Sequence, residues 1–189
     1  MKTMVLRQSP EHADALHLSG LVSHQQGRHD EAAQQIQKAI SNCANVAAYH
    51  NNLGAAQRAA GQLESAIASF QRATELKPNF SSAWSNLVQA HVASAEEGSV
   101  SAALDQWVRN TQGATAALQA RAAYRYANAD VRGALADQAR IADNHPEDHR
   151  PCLQVGILAH ELGDDAVANG AFSTARSSGG ASFCPSRAT

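Results

Sequence analysis

Small side chains return along this chain at a fixed step of 34 residues, and that rhythm admits few folds. The clearest unit is AAYHNNLGAAQRAAGQLESAIASFQRATELKPNF, residues 47–80, with Gly54, Gly61, Ala66, Phe70, Ala73 and Pro78 at its key positions. One step earlier stand Gly20, Gly27, Ala32, Ile36 and Ala39, and three steps later stand Gly156, Gly163, Ala168, Phe172 and Ala175. Leu53, Leu63, Ile67 and Phe70 fall at helical spacing and predict a buried stripe shared by two helices. Gly54 and Ala66 let the two backbones approach as an antiparallel pair. Gly61 suits the left-handed conformation that ends the first helix, and Pro78 stops the second. One such pair cannot bury its own apolar face, so the units must stack.

The period divides the chain into about five units. The first runs from His12 to Val46, with Asp30 and Glu31 favourably placed at the start of its second helix. Residues 1–11, with Pro10 two steps before Pro78, read as a cap or vestigial helix. In the third unit, which opens FSSAWSNLVQAHV, strict phase puts Val100 and Trp107 in slots for small residues. A three-residue slip is therefore expected. It sets Gly98 at the turn, Ala103 at the close crossing, Trp107 in the aromatic slot and Ser99 as cap of the second helix, and it lengthens the first helix by nearly a turn. Ser81 or Ser82 is the expected cap of that first helix, with Trp84 and Leu87 buried.

The fourth unit, Thr115 to Asp148, is back in phase through Ala122, Ala134, Ile141 and Pro146. It carries Arg121 where a leucine belongs and Gln138 where an aromatic belongs, and its alanine-rich first helix is expected to make room for Trp107. The fifth starts from Asp148 as N-cap with Pro151 in the first turn, a position proline tolerates. Residues 179–189, GASFCPSRAT after Gly179, lack helical periodicity and read as an irregular tail. No polar cap follows the fifth unit. Its last helix is expected to be covered by self-association, by a partner or by further sequence of a longer protein.

The placement of Leu53-Gly54, Gly61, Ala66, Phe70, Ala73 and Pro78 closely resembles the tetratricopeptide repeat, a helix–turn–helix unit of the same length. The resemblance covers roughly residues 12–178 and implies an all-α solenoid of about five repeats, wound as a right-handed superhelix. In such arrays the first helices line a concave groove, so a residue recurring there forms a row. Asn52 and Asn86 are one step apart, each just before a buried leucine. They resemble the asparagine ladder of O-linked N-acetylglucosamine transferases, in which amides hold a bound peptide backbone; Leu18, Ala120 and Gln154 take that place in the other repeats. An amide has one acceptor and two donors, which suits a peptide group whatever its side chain. The peptide-binding residues expected on this ground are Asn52, Asn86, Gln89, Arg58, His17 and Gln154, with Leu21, His24, Tyr126 and His160 on the same helices.

Composition narrows the function. A hydrophobic share of 44% with only 5% aromatics favours close-packed helices over a sheet. A net charge of −2, without a basic block, offers neither a nucleic-acid surface nor a membrane surface. The apolar start is too short for a secretory signal, and Cys43, Cys152 and Cys184, odd in number and far apart, suit a reducing cytoplasm. His17 and His24 share a helix face but lack a third ligand, so no metal or other cofactor is expected. A two-carboxylate clamp needs groove lysines, and Lys2, Lys38 and Lys77 all lie elsewhere. Arg121, Tyr124, Arg125 and Tyr126 form one basic-aromatic cluster, read as a solvated face with core tyrosine and not as an RNA platform. No HExxH, GxSxG, phosphate loop or CxxC is present, so the chain is read as non-catalytic. The expected role is a scaffold or adaptor binding a protein or peptide in its groove. The alternative is the substrate-docking part of a larger glycosyltransferase of the O-linked N-acetylglucosamine transferase or SPINDLY type, or of a sulfotransferase.

Overall fold

The computed structural model describes residues 12–95 and 97–177, which form ten α-helices and no strand. In chain order these are α1 (Ala13–Gln25), α2 (His29–Asn42), α3 (Ala47–Ala59), α4 (Leu63–Leu76), α5 (Ser81–Ala93), α6 (Glu97–Asn110), α7 (Thr115–Ala127), α8 (Val131–Asn144), α9 (His149–Glu161) and α10 (Asp165–Ser177). The expected cap at residues 1–11, Pro10, the irregular tail and Cys184 lie outside the described residues.

In repeats one, two and five the helix pair is closed by a bulky side chain pressed onto a glycine. A Cβ on Gly54 would stand 2.7 Å from the Phe70 ring, one on Gly156 would stand 2.5 Å from the Phe172 ring, and one on Gly20 would stand 2.5 Å from Ile36 Cγ1. Such distances are closer than non-bonded carbons approach, so the helices are set by the absence of the methyl group. Ala32, Ile36, Ala39, Ala66, Phe70 and Ala73 are all fully shielded from solvent behind these contacts. The expected wedge of small residues is therefore present.

The turns recur with the same step. Gly27, Gly61 and Gly163 adopt φ of 78°, 79° and 75°, and Ala95 and Ala129 take the equivalent places at 57° and 62°. This overturns the expected slip in the third repeat. Its turn is at Ala95, while Gly98 lies in the first turn of α6 with open space around it. Val100 fills the slot of Ala66 and is buried, Trp107 fills the slot of Ala73, and Ser99 is inside the helix. The helix α5 has 13 residues, like α1 and α3, so it is not lengthened. Nor is it capped as expected: Phe80 is the N-cap residue, without a side-chain bond, and Ser81 is already helical. The reason is that helix pairing fixes the turn, and alanine accepts the left-handed conformation there at a cost of about 1–2 kcal/mol.

Trp84 and Leu87 are buried as expected, and the Trp84 indole donates to the Pro78 carbonyl at 2.9 Å. Asp148 caps α9 by accepting from the Arg150 amide at 3.0 Å, with Pro151 buried in the first turn. The Arg150 side chain beside it holds the Asp148 carboxyl down to about 2. One connection departs from the pattern. Between α6 and α7, Gln112 and Gly113 both have positive φ, and the Arg140 guanidinium lies over Gly113 while donating to the Gln112 carbonyl at 3.0 Å.

The helices fall into two compact units, one ending at Ala103 and one beginning at Leu104. In the first, α1 pairs with α2 and α3 with α4, α2 packs on α3 and α4 on α5, and the first helices α1, α3 and α5 touch in sequence. Its core includes Ile36, Ala39, Ile40, Tyr49 and Leu53. In the second, α7 pairs with α8 and α9 with α10, and α8 packs on α9, with Ala142 and Cys152 in contact.

Two substitutions check this geometry. Gly54→Leu drives a side chain into the Phe70 ring and is expected to cost about 1–3 kcal/mol in urea unfolding. Ala129→Gly relieves the left-handed turn and is expected to add about 0.5–1 kcal/mol after the added freedom of the unfolded chain; a lower denaturation midpoint would contradict the assigned turn.

Candidate functional site

The adjacent first helices of the first unit are joined by a line of polar side chains. The His17 imidazole Nε2 on α1 meets the Asn52 amide Nδ2 on α3 at 2.8 Å. Asn51 Nδ2 donates to Asn52 Oδ1 at 3.4 Å, and Asn86 Nδ2 on α5 donates to Asn51 Oδ1 at 3.0 Å. With the Asn52 amide donating, His17 Nε2 is the acceptor and the ring is neutral; burial lowers its pKa, against a smaller opposite effect of Asp14. The ring lies 4.4 Å from that of Tyr49. The Tyr49 hydroxyl donates to Asp14 and is pushed up to about 12 by burial and by that carboxylate.

These bonds share a geometry. Asp14 to Tyr49, His17 to Asn52, Asn51 to Asn86 and, in the second unit, Tyr126 to Glu161 all join residues 35 apart. Neighbouring first helices thus meet one residue beyond the sequence repeat. That offset explains why the two expected asparagines, 34 apart, do not bond each other and are linked through Asn51. Asn51 is 9% exposed and was not among the expected residues. The signal for it was the asparagine doublet in HNNLG, where Asn51 lies one period after His17.

Arg58 and Gln89 are also brought together, Nη1 donating to Oε1 at 2.8 Å, with the guanidinium 5.9 Å from the centre of the Phe70 ring. Leu21 and His24 are half-buried on α1. His24 Nδ1 faces His29 Nδ1 at 3.1 Å, a pair that needs one of the two nitrogens unprotonated; burial, then His29, lowers the His24 pKa. Among the described residues no three histidine, cysteine or acidic side chains gather as a metal site.

Gln154 lies in the second unit, exposed on α9, where it lines a cavity of about 290 Å³ with Gln119, Gln138, Tyr126, Ile157 and Glu161. Tyr126 donates to Glu161 at 3.0 Å, which raises the phenol pKa, and His160 Nδ1 lies 3.2 Å from Asp165.

The two arginines of the basic-aromatic cluster do not form a solvated face, and Tyr126, at 49% exposed, is not a core tyrosine. Arg121 grips Asp137 with Nε and Nη2 at 3.0 and 2.6 Å, and its Nη1 donates to Asp105 at 2.8 Å. Arg125 Nη1 donates to the same Asp137 at 3.0 Å and to the Gly133 carbonyl at 3.2 Å. Asp137 is 3% exposed, and its hydrogen bonds are the main cause that raises the Arg121 pKa. The place is telling. Ser23 with Gln35 at 3.3 Å, Gln57 with Ser69 at 2.7 Å, and Arg125 with Asp137 occupy equivalent positions in repeats one, two and four. A polar clasp thus joins the two helices of a pair, and in the fourth repeat it is ionic.

Comparison with known proteins agrees with the geometry. Tetratricopeptide repeat models match residues 4–48 and 47–80. Among curated proteins none matches the chain. Among solved structures, PilF of Pseudomonas aeruginosa is similar at TM-score 0.65 and 18% identity, covering 95% of this chain and 82% of its own. YrrB, described as a tetratricopeptide protein with an unusual peptide-binding site, is similar at TM-score 0.59 and 14% identity, over 94% and 91%. An O-GlcNAc transferase of Thermobaculum terrenum is 34% identical at TM-score 0.53, over 57% of this chain and 21% of its own.

A charge pair so enclosed is costly to break. Asp137→Ala leaves Arg121 and Arg125 without their shared anion and is expected to cost about 3–5 kcal/mol. The joint change Arg121→Leu, Arg125→Gln, Asp137→Ser copies the second repeat and is expected to recover most of that in chemical unfolding.

Proposed function

This chain carries tetratricopeptide repeats over residues 4–80 and is an all-α solenoid of such helix pairs, and on that premise we propose that it acts as a non-catalytic scaffold that binds an extended peptide along its first helices. The observation that carries the proposal is the line His17, Asn52, Asn51 and Asn86 on three adjacent helices. Asn52 and Asn86 are half-buried, so their amides border solvent without being free to collapse into it. A peptide backbone offers alternating donors and acceptors and can exchange with such bonds one for one, at little net loss of hydrogen bonding. Arg58 and Gln89 lie farther along the same helices and add a cation and an amide. The free thiols of exposed Cys43 and buried Cys152 suit the reducing cytoplasm proposed as its location.

A second reading, the substrate-docking part of a larger glycosyltransferase, is favoured by the 34% identity to the Thermobaculum enzyme, of which this chain spans about a fifth. A coding frame that runs on into a nucleotide-sugar domain would select it.

Capture from native lysate on the immobilised protein tests the first reading. Asn52→Ala with Asn86→Ala is expected to lose the bound proteins while circular dichroism shows the helices retained. Undiminished recovery of the same proteins would remove the amide line from the binding surface.

A further inference from the structure

The helix pairs are closed by an aromatic ring on a glycine in the second and fifth repeats, through Gly54 with Phe70 and Gly156 with Phe172. The fourth repeat places Ala122 and Gln138 in those two slots, and no ring fills the space. Instead a cavity of about 290 Å³ opens there, lined by Ala122, Ala123, Ala134 and Gln138 and walled by Ile157 and Tyr126. Ala122 and Ala134 are buried, so the floor is apolar, whereas Tyr126 and Ile157 at the mouth are 49% and 45% exposed. The volume lies at the lower end for ligand pockets, which fits a single large side chain better than a whole small molecule.

Charge names what should accompany that side chain. Glu161, at the rim, accepts from Tyr126 and is the acidic side chain of the lining. The cations of α7 do not offset it, because Arg121 and Arg125 are held by Asp105 and Asp137. We propose that this cavity is a docking pocket for an aromatic side chain of a partner peptide, followed by a basic residue that pairs with Glu161. The incoming ring takes the place that Phe70 and Phe172 occupy within their own repeats. The proposal rests on the interaction-scaffold reading but not on the amide line, which belongs to the other unit.

The test is titration of the whole chain with the capped dipeptide acetyl-Phe-Arg-amide, followed by amide NMR shifts. Saturable shifts at Tyr126, Gln138 and Ile157 are expected, with a dissociation constant on the order of 1 mM. Acetyl-Ala-Arg-amide and acetyl-Phe-Glu-amide should bind roughly tenfold more weakly. Ala122→Gly with Gln138→Phe rebuilds the glycine–ring pair inside the protein and should abolish binding without lowering the melting temperature. Should that variant fail to fold, Ala123→Leu, at an exposed lining position, blocks the mouth instead. Glu161→Gln should erase the preference for Arg over Glu. Shifts that persist in the filled or blocked protein, equal binding of the alanine peptide, or no saturation by about 10 mM would overturn the proposal. Asn52→Ala with Asn86→Ala should keep the dipeptide shifts in full, so the two readings fail separately.

Discussion

The close approach of two helices at a residue without a side chain is the constraint on which the rest depends. Where Phe70 lies on Gly54 and Phe172 on Gly156, one methyl group would already collide with the ring. A pair closed in this way has one favourable crossing and one length. The repeats without that glycine keep the same form, with first helices of 13 residues and left-handed turns at Gly27, Gly61, Ala95, Ala129 and Gly163 throughout. The alanine turns show the order of causes. Pairing of the helices determines where the chain reverses, and the residue at the reversal conforms even when it is not glycine.

That fixed pairing also determines which polar groups meet. Neighbouring first helices face each other with an offset of one residue, so hydrogen bonds join positions 35 apart. A row of identical residues at the sequence period would not bond to itself. Asn51, between Asn52 and Asn86, supplies the link. The polar line is thereby satisfied within the protein, and a ligand must replace internal bonds. Exchange of this kind favours sequence-tolerant binding to a backbone, because the selectivity of the amides is for peptide geometry and not for side chains.

The fold was legible where glycine held its slot, which is in repeats one, two and five. In the third repeat the glycine nearest the turn is Gly98, three residues past it, and Ala95 carries no local sign of a left-handed conformation. The slots there hold Val100 and Trp107, whose sizes argue against the true register until the pair is seen as a whole. The fourth repeat is in phase by sequence, but nothing local distinguishes Arg121 from a solvated cation. Its partner Asp137 lies on the next helix, and only the parallel with Gln57 and Ser69 would have exposed the pairing in advance. Of the expected binding residues, the structure joins His17 to Asn52 and Arg58 to Gln89, and it ties Asn86 to a residue the pattern did not single out.

The fourth repeat shows why an ionic clasp and an open slot occur together. With Gln138 in place of a ring, the α7–α8 pair loses the large apolar contact that sets the crossing in the second and fifth repeats. Something else must hold the register. A carboxylate held by two guanidiniums is directional in a way that apolar contact is not, and it tolerates neither slippage nor rotation of one helix on the other. Its net stabilisation is smaller than the cost of breaking it, since desolvation offsets much of the attraction. The ion pairs thus do the positioning that the ring does elsewhere, and they do it from the side, beside Asp105 and Gly133, leaving the slot itself unfilled. A repeat held in this manner keeps its geometry beside an open cavity shared with α9.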